Sequence, residues 1–588
     1  MRDKKLAGQV VFLTVSNIIV KFAGLLFKIP MTALIGEEGM GYFNSAYTLF
    51  TWFYMVSTAG LPAASAMMIS RARALGKYRE TRRIFRLSLV IFLGLGIVTS
   101  SVMIFGADIF ARLMKVERSA PAIIAIAPTL FFICQSAALR GYFQGCGELR
   151  PHALSQTAEA LGKLALGVAL AKYATGKGAS PELTAAWAAV GLTIGIAAGM
   201  LVLYMSLLFT KRLRNPELSG VGDMRVVDEP RTIAAARSEN DTYTYSARSA
   251  RGNDYTYNSN SANTARAVDN SNSANTARAA AKPRAVKTAG KPARQAQPVA
   301  SIGATARRLV SIALPITLSS SLMSLTGLID TLIMTRRLHD IGLSQTETIA
   351  IYGNYTSLAV PMFNLPPVLI YPLTYMLMPK LAALLERDES RGLTLCRTIV
   401  SLTAMISIPA ALGLCALSEP ILGLLFESEV AERGAMLLTL LAPSSFFVCI
   451  LALTNTILQA SGHERIPLFA LIIGSVVKLV SSWVLIPLLG KYGTPVSTFL
   501  CYFVICTISI SAISSRTHLG QAFSPRLIAI PLINSTVAVT LAVIVEQAFR
   551  ARIGARPAAL AAIAIAAAVY LPLTLPRALK LIKSTQEL

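Results

Sequence analysis

The sequence predicts an all-α integral membrane protein of about 14 transmembrane helices, built as two parallel six-helix lobes plus two C-terminal helices. Three observations lead to this fold class: the composition, the length of the apolar runs, and an internal repeat. Only 14% of the 588 residues are charged and 54% are hydrophobic, whereas a soluble protein carries about 25% charged residues. The apolar runs are long and continuous, unlike the alternating ten-residue strands of a membrane barrel.

Fourteen apolar runs are long enough to cross a bilayer, which takes about 20 residues of helix. The first six are predicted at 8–35, 41–70, 85–112, 120–144, 153–173 and 183–210. The other eight are predicted at 308–336, 350–380, 394–417, 434–460, 467–489, 492–514, 525–548 and 557–576.

The basic residues predict the orientation in the cell membrane. The second loop has seven basic residues between Arg71 and Arg86, while the first loop has Glu37 and Glu38. Loops rich in Lys and Arg stay on the cytoplasmic side, so we expect both termini to be cytoplasmic. The thirteenth loop is an exception to the alternation of basic and acidic loops, because it contains basic residues around Arg552.

A polar stretch separates the two sets of spans. It contains NSNSANTARA twice and few large aliphatic residues, so it cannot bury enough surface to offset its chain entropy. We interpret it as a disordered cytoplasmic linker, with binding of a partner as the alternative. The expected domains are a first lobe in 1–215, the linker in 216–304, a second lobe in 305–515, and two further helices and a cytoplasmic tail in 516–588.

The two lobes are predicted by the internal repeat. At an offset of 315 residues, APTLFFICQSAALRGYFQGCGELRP from Ala127 aligns with APSSFFVCILALTNTILQASGHERIP from Ala442. The same offset aligns Lys163 with Lys478, which favours a structural role shared by both lysines. Six spans separate the copies, and an even number makes the lobes parallel, as in carriers that hold substrate between two such bundles.

The first span carries a polar stripe on one helical face, formed by Asn17, Lys21, Gly24 and Lys28. A charge at membrane depth costs roughly 2.5–3.5 kcal/mol, so this face should border protein or a wet cavity. The alternative is that the lysines snorkel to the membrane surface. At an offset of 303 the second lobe keeps the polarity without the cations, at Ser320, Ser324, Gly327 and Thr331.

Several function classes are excluded. Seven cysteines without a C-x-x-C pair and only four histidines give no metal-ligand spacing, and we expect no metal and no cofactor. The net charge of +25 is spread over membrane-flanking loops and the linker, with no nucleic-acid-binding module. There is no P-loop motif, and the outer loops are too short for catalytic carboxylates, so we expect no enzyme.

The residues resemble a known group of carriers. The segment GLLFKIPMTALIGEEGMGYFNSAYTLF, the turn GYFQGCGELRP and the six-plus-six repeat are similar to the MOP superfamily. Within it, the chain resembles the polysaccharide exporter branch, the stage V sporulation protein B group and the lipid II flippases. The resemblance implies a V-shaped carrier that moves a lipid-linked saccharide, with Lys21 and Lys28 matching the cavity cations that hold the pyrophosphate.

Further polar residues are candidates for the cavity. Asp330 could carry a coupling proton or sodium ion, or form a salt bridge across the lobes. Arg140 could contact substrate, although an interfacial anchor is the favoured alternative. Asn44 and Asn354 could bind sugar hydroxyls, while hydrogen bonding between helices is the commoner use of such groups.

The expected function is a flippase for an undecaprenyl-pyrophosphate-linked saccharide, a peptidoglycan precursor or another polysaccharide unit, in vegetative growth or sporulation. The expected partners are this substrate and membrane lipids, without nucleic acid, and the cytoplasmic loops could recruit envelope-synthesis proteins. One alternative is a proton- or sodium-coupled multidrug or metabolite antiporter. Another is a non-transporting scaffold for envelope assembly.

Overall fold

The computed structural model describes residues 2–209 and 301–586, apart from 372–373, 375–380, 382–383, 386–387 and 464. The described residues belong to one compact unit. We call 2–209 the N-terminal half and 301–586 the C-terminal half. The predicted linker lies outside the described residues except for its last four, where the Ser301 side chain caps the next helix by accepting the Ala304 N–H.

The N-terminal half is helical throughout its described length. Its helices are α1 (Arg2–Thr58), α2 (Leu61–Ala74), α3 (Tyr78–Phe105), α4 (Ala107–Leu113), α5 (Ala120–Ile126), α6 (Thr129–Gly145), α7 (Arg150–Gly176) and α8 (Pro181–Phe209).

The C-terminal half is also built of helices. They are α9 (Ile302–Asp340), α10 (Gln345–Asn354), α11 (Val360–Phe363), α12 (Glu389–Ala416), α13 (Ser418–Leu425), α14 (Ser428–Leu441), α15 (Pro443–Ala460), α16 (Arg465–Leu489), α17 (Gly493–Arg516), α18 (Pro525–Ile553) and α19 (Ala555–Gln586). A π-helical turn, Tyr355–Ala359, joins α10 to α11, and residues 365–371 are helical as well.

The break predicted between the first two spans, 8–35 and 41–70, falls at Gly36, where two helical segments of α1 meet at a kink without an open loop. The φ of 69° and ψ of −178° at Gly36 lie where essentially only glycine is stable. Glu38 therefore sits on the helix, where its carboxylate accepts a 2.7 Å hydrogen bond from Tyr42. The chain breaks later, between Thr58 and Leu61, inside the predicted second span.

The α10 helix begins at a capping box. The Ser344 hydroxyl accepts the Glu347 N–H at 3.2 Å, while the Glu347 carboxylate accepts from the Ser344 N–H at 3.0 Å. The Ser344 hydroxyl also donates to the Glu347 carboxylate at 2.8 Å. This bond and the one from the Ser344 N–H stabilise the ionised carboxylate and hold the pKa of Glu347 below its usual value. The start of α10 is thus fixed before the chain enters the predicted eighth span.

Nine helical stretches among the described residues are long and apolar enough to cross a membrane. Two of them, Phe22–Arg73 and Arg465–Arg516, are 52 residues long, which is enough for two crossings each. Large apolar side chains on these stretches face outward; Phe105, Phe209 and Leu488 are more than 70% exposed. Such surfaces suit contact with lipid, and the protein is a multi-pass integral membrane protein.

Two close contacts between the halves involve α1 and the residues that immediately follow it; a further contact is the hydrogen bond from Thr335 Oγ1 to the Met114 carbonyl at 2.6 Å. In the first, which we call the Gly41 seam, residues 37–48 pack on residues 349–357 so closely that a Cβ on Gly41 would overlap the Ile349 carbonyl. In the second, the Gly60 seam, a Cβ on Gly60 would overlap the Ala313 carbonyl, and the Gly60 N–H donates to Thr317 Oγ1 at 3.2 Å. Each glycine permits the close approach because it has no side chain.

Candidate substrate cavity

A cavity of about 570 Å³ lies along α1 between the two seams. Its walls come mainly from α1, α6 and α7, with α11 and the residues that follow closing the remaining side. This volume is within the range of about 300–1,000 Å³ that small-molecule sites occupy. Gly24 borders the open space directly, since a Cβ built on it would meet nothing within 4 Å.

Three charged side chains form a triad on one wall. The Glu159 carboxylate accepts 2.7 Å hydrogen bonds from Arg140 Nη2 and Lys163 Nζ, and Arg140 Nε donates to Ser155 Oγ at 3.3 Å. Arg140 and Glu159 are 12% exposed and Lys163 is 26% exposed. One carboxylate therefore holds two cations in place while neutralising only one of them.

Lys28 lies on another part of the wall, where it joins the two halves. Its ammonium donates a 2.5 Å hydrogen bond to the backbone carbonyl of Thr356 in the π-helical turn. In this turn the Val360 N–H bonds five residues back to the Tyr355 carbonyl. The next carbonyl, that of Thr356, would pair with residue 361 in the same register, but Pro361 has no N–H. Lys28 supplies the donor that proline removes.

An aromatic ladder follows α1 along the cavity. Phe43, Tyr47, Phe50 and Tyr54 all line it, and consecutive ring centroids are 6.1, 5.8 and 6.2 Å apart. Their spacing of three or four residues puts the rings on one face of the helix. The ladder ends near the triad, since Tyr54 interacts electrostatically with Arg140, Glu159 and Lys163.

The described lining residues give the cavity a net positive charge. Lys28, Arg140 and Lys163 contribute three positive charges and Glu159 one negative, for a net of +2. In a low-dielectric wall such charges interact more strongly than in water. The cavity is thus suited to an anion of about two charges with a ring or other flat group beside it.

The structure brings three of the residues singled out from the sequence to this cavity: Lys28, Asn44 and Arg140. The side-chain amide of Asn44 donates a 2.7 Å hydrogen bond to Ser357 Oγ in the C-terminal half. Arg140 is bonded within the triad, which differs from the interfacial anchor that the sequence favoured. The backbones of Asn17 and Lys21 belong to α1, but their side chains lie outside the described residues.

Asp330 and Asn354 lie elsewhere. Asp330 Oδ2 accepts a 2.8 Å hydrogen bond from Lys478 Nζ on α16, in an almost fully buried ion pair. Both residues belong to the C-terminal half, so the expected salt bridge across the lobes is instead a bridge within one half. Asn354 is buried and borders a separate pocket of about 230 Å³ near Glu37 and Arg433.

Glu159 is the residue that the sequence reasoning missed. Its spacing of four residues from Lys163 is the signal that could have indicated a helical ion pair. The assumption that Lys163 and Lys478 share one structural role is wrong, because Lys163 pairs within its own helix and Lys478 pairs with a different helix. At the same offset of 315, Arg140 and Glu159 correspond to Asn455 and Gly474, so the C-terminal half lacks the triad.

Comparisons with known proteins show matches to two family models and to three relatives. Residues 6–224 match the family model described as polysaccharide biosynthesis protein, and residues 286–556 match that of lipid II flippase MurJ. In Bacillus subtilis (strain 168), stage V sporulation protein B is 28% identical over 203 residues, 34% of this chain and 39% of that protein. Lipid II flippase MurJ from the same strain is 26% identical over 168 residues, 27% of this chain and 31% of that protein.

The matches to these two relatives span well under half of their lengths. Another protein of that strain, the uncharacterized membrane protein YabM, is 22% identical over 526 residues, 89% of this chain and 82% of its own length.

The fold is similar to that of solved transporters. A structure of lipid II flippase MurJ in an inward closed conformation superposes with a TM-score of 0.63 at 13% identity, covering 97% of this chain and all of that one. An inward-facing multidrug resistance MATE transporter superposes with a TM-score of 0.54 at 14% identity, covering 85% of this chain and 100% of that one. At these identities the likeness concerns the fold alone. The chain therefore has a fold similar to that of solved transporters of the MOP superfamily, and it is distantly similar to stage V sporulation protein B and MurJ.

Proposed function

We propose that this transporter flips an undecaprenyl-diphosphate-linked saccharide, such as a peptidoglycan precursor, from the inner to the outer leaflet of the cytoplasmic membrane. The observation that carries the proposal is a cavity with a net charge of +2 beside an aromatic wall. A diphosphate diester carries two negative charges, and the C–H faces of a sugar ring stack on aromatic rings. The polyprenyl chain would remain in the lipid.

The contacts of Lys28 suggest how the anion is coupled to movement. Lys28 donates to the neutral Thr356 carbonyl and so links the halves beside the Gly41 seam. A phosphate oxygen carries negative charge, so it attracts the Lys28 ammonium by a Coulomb interaction that the neutral carbonyl lacks. The diphosphate would draw Lys28 away from Thr356 and loosen this link. Lys21, seven residues earlier on α1, would extend the same cationic face.

The topology that we propose has fourteen crossings. Each 52-residue stretch counts as two, and α7, α9 and the helical segment from α10 onward add the three that fall outside the nine apolar stretches. The arrangement would be two parallel six-helix lobes, in 1–215 and 305–515, with α18 and α19 following and both termini cytoplasmic. Residues 216–304 would serve as a cytoplasmic linker.

The membrane potential supplies a driving force for this direction. Moving one charge across 100 mV changes the free energy by about 2.3 kcal/mol. Outward movement of a dianion from a negative interior would therefore gain roughly 4–5 kcal/mol. The same potential would draw the emptied, positively charged cavity back toward the cytoplasmic side.

The test is headgroup translocation in vesicles. Full-length protein is reconstituted with undecaprenyl-diphosphate N-acetylglucosamine, and accessible headgroups are labelled with external galactosyltransferase and radioactive UDP-galactose. We expect wild-type protein to expose headgroups that are otherwise protected. Lys28→Gln and Arg140→Gln should each slow exposure about tenfold, since a hydrogen bond to a charged group contributes about 1.5–3 kcal/mol.

Three controls make this result interpretable. Lys172→Gln changes a lysine that is exposed on α7 and should leave the rate unchanged. Arg140→Lys keeps the charge beside Glu159, and recovery of activity there would separate loss of charge from loss of folding. Equal rates for wild type, Lys28→Gln and Arg140→Gln would refute the anion site, and transport of organic cations instead would favour the antiporter alternative.

A further inference from the structure

A second cavity, which we call the Arg71 pocket, lies outside the candidate substrate cavity and shares none of its lining residues. It has a volume of about 320 Å³ and lies between the C-terminal end of α2, the start of α3 and the first turns of α9. It is therefore bounded by both halves of the protein.

The lining of the Arg71 pocket combines cations with apolar surface. Arg71, Lys77 and Arg308 give three positive charges and Glu80 one negative, for a net of +2. The apolar part of the wall includes Met67 and Leu75, which are 51% and 59% exposed. A free anion would need only the charges, whereas an acyl-linked phosphate would also cover the exposed methionine and leucine.

The position along the helices suits the headgroup region of a membrane. Arg71 lies in the last turn of α2, and Lys77 immediately precedes α3, whose 28 residues include one of the most apolar stretches of the chain. Basic pockets between transmembrane helices on the cytoplasmic side bind anionic lipid headgroups. The basic loop after α2 puts this end of the helices on that side by the positive-inside rule.

We propose that the Arg71 pocket binds the headgroup phosphate of an anionic phospholipid of the inner leaflet. The phosphate contacts Arg71 and Lys77 from the N-terminal half and Arg308 from the C-terminal half, and the acyl chains cover Met67 and Leu75. The pocket adjoins the Gly60 seam, so the bound lipid reinforces the contact between α2 and α9. The site does not depend on the proposed substrate.

Native mass spectrometry of the full-length, delipidated protein tests this site with phosphatidylglycerol as the probe. We expect Arg71→Gln, Lys77→Gln and Arg308→Gln each to weaken binding roughly fivefold, since a basic residue near an anionic lipid surface contributes about 1 kcal/mol. The triple variant should lose on the order of 100-fold if these contributions add. Arg307→Gln and Arg79→Gln, exposed neighbours that do not line the pocket, should change binding less than twofold.

Each comparison in this experiment decides the proposal. The proposal is supported if phosphatidylglycerol binds more strongly than phosphatidylcholine, and if the triple variant loses this preference while the Arg307 and Arg79 variants keep it. Equal binding of the two lipids, or equal losses in the Arg307 and Arg79 variants, overturns it. Displacement of the lipid by millimolar inorganic phosphate would make this a free-phosphate site, and preferential binding of undecaprenyl diphosphate would make it a substrate site. Thermal unfolding of the triple variant excludes misfolding as the cause of lost binding.

Discussion

At the scale of single residues, the two halves use their buried charges differently. In the N-terminal half Glu159 pairs with Arg140 and Lys163 beside a cavity. In the C-terminal half Lys478 pairs with Asp330 in an enclosed core, and the position that corresponds to Asp330 at the offset of 303 is Phe27. Both halves thus have a lysine at the repeated position. Its carboxylate partner lies on the same helix in the N-terminal half and on a different helix in the C-terminal half. The first arrangement leaves one positive charge uncompensated for a ligand, while the second leaves none.

Lys28 gives a prediction at this scale. Lys28→Met keeps an apolar stem but removes the donor to the partly buried Thr356 carbonyl, which should cost about 1 kcal/mol. Pro361→Ala supplies a backbone N–H at the position where the π-helical register lacks one. We expect Lys28→Met to lower the unfolding midpoint of otherwise wild-type protein clearly, and to lower that of the Pro361→Ala variant much less.

Thermal unfolding in detergent micelles measures this double-mutant cycle. Lys172→Met, on the exposed side of α7, is the matched control and should have no effect in either background. If Lys28→Met costs the same with and without Pro361, the Thr356 carbonyl does not depend on the lysine. The proposed exchange of Lys28 between carbonyl and phosphate would then lose its basis.

At the scale of helices, α1 stands out because it contributes to the Gly41 seam, to the cavity and to the aromatic ladder, and because it ends two residues before Gly60. Its direction changes only at Gly36, where the backbone conformation costs a residue other than glycine about 1–3 kcal/mol. Lys28 lies on the helical segment before Gly36 and the aromatic ladder lies on the segment after it. The change of direction at Gly36 brings Lys28 and Tyr47 to the same cavity, although nineteen residues of straight helix would hold them about 28 Å apart.

Two alanine substitutions in α1 test the role of the kink. An added Cβ meets nothing within 4 Å at either Gly36 or Gly24, so neither substitution causes a clash. Gly36→Ala should lower the free energy of unfolding by about 1–3 kcal/mol, because only the backbone conformation is penalised. Gly24→Ala, in regular helix, should be neutral or stabilising by up to about 1 kcal/mol.

The measurement is the shift of the unfolding midpoint in micelles, with headgroup translocation as a second readout. Equal midpoints for the two variants would mean that the positive φ at Gly36 is not required. If translocation falls in Gly36→Ala while Gly24→Ala stays active, the kink also matters for the alignment of the cavity walls.

The sequence predicted the helices well, because a membrane span needs only a long apolar run and the runs are unmistakable here. It also predicted the cationic face of the first span, of which Lys28 and Gly24 line the cavity. It placed a boundary between the first two spans at residues 36–40, where the kink lies, but it did not predict that the two helical segments meet directly, since GEEG is typical of a polar loop. The sequence also did not predict that Lys28 bonds to the Thr356 carbonyl. That carbonyl lacks a backbone partner because of the local π-helical register, which side-chain patterns do not encode.

At the scale of the whole molecule, the two seams lie on either side of the segment of α1 that carries the aromatic ladder. Gly41 and Gly60 are nineteen residues apart, about 28 Å of helix at 1.5 Å per residue, which is close to the thickness of the hydrocarbon core. The halves therefore touch on both sides of the cavity. An alternating-access carrier must separate one seam while it keeps the other.

Substitutions that open one seam at a time should have opposite effects on which seam is accessible. A Cβ on Gly353 would overlap the Glu37 carbonyl in the Gly41 seam, and one on Gly60 would overlap the Ala313 carbonyl in the Gly60 seam. Since both overlaps are with backbone, the helices themselves must move apart. We expect Gly353→Ala to expose the Gly41 seam and Gly60→Ala to expose the Gly60 seam, each with little effect on the other.

Thiol labelling reports which seam is open. The seven native cysteines are replaced by alanine, and Ser357→Cys or Thr317→Cys is introduced as a reporter of the Gly41 or the Gly60 seam. In vesicles, a membrane-impermeant maleimide should label Cys at 357 faster in Gly353→Ala and Cys at 317 faster in Gly60→Ala, from opposite sides of the membrane. Gly423→Ala, where an added Cβ meets nothing, should leave both rates unchanged. If either alanine opens both seams together, the seams are not independent gates, and a mechanism that alternates between them is ruled out.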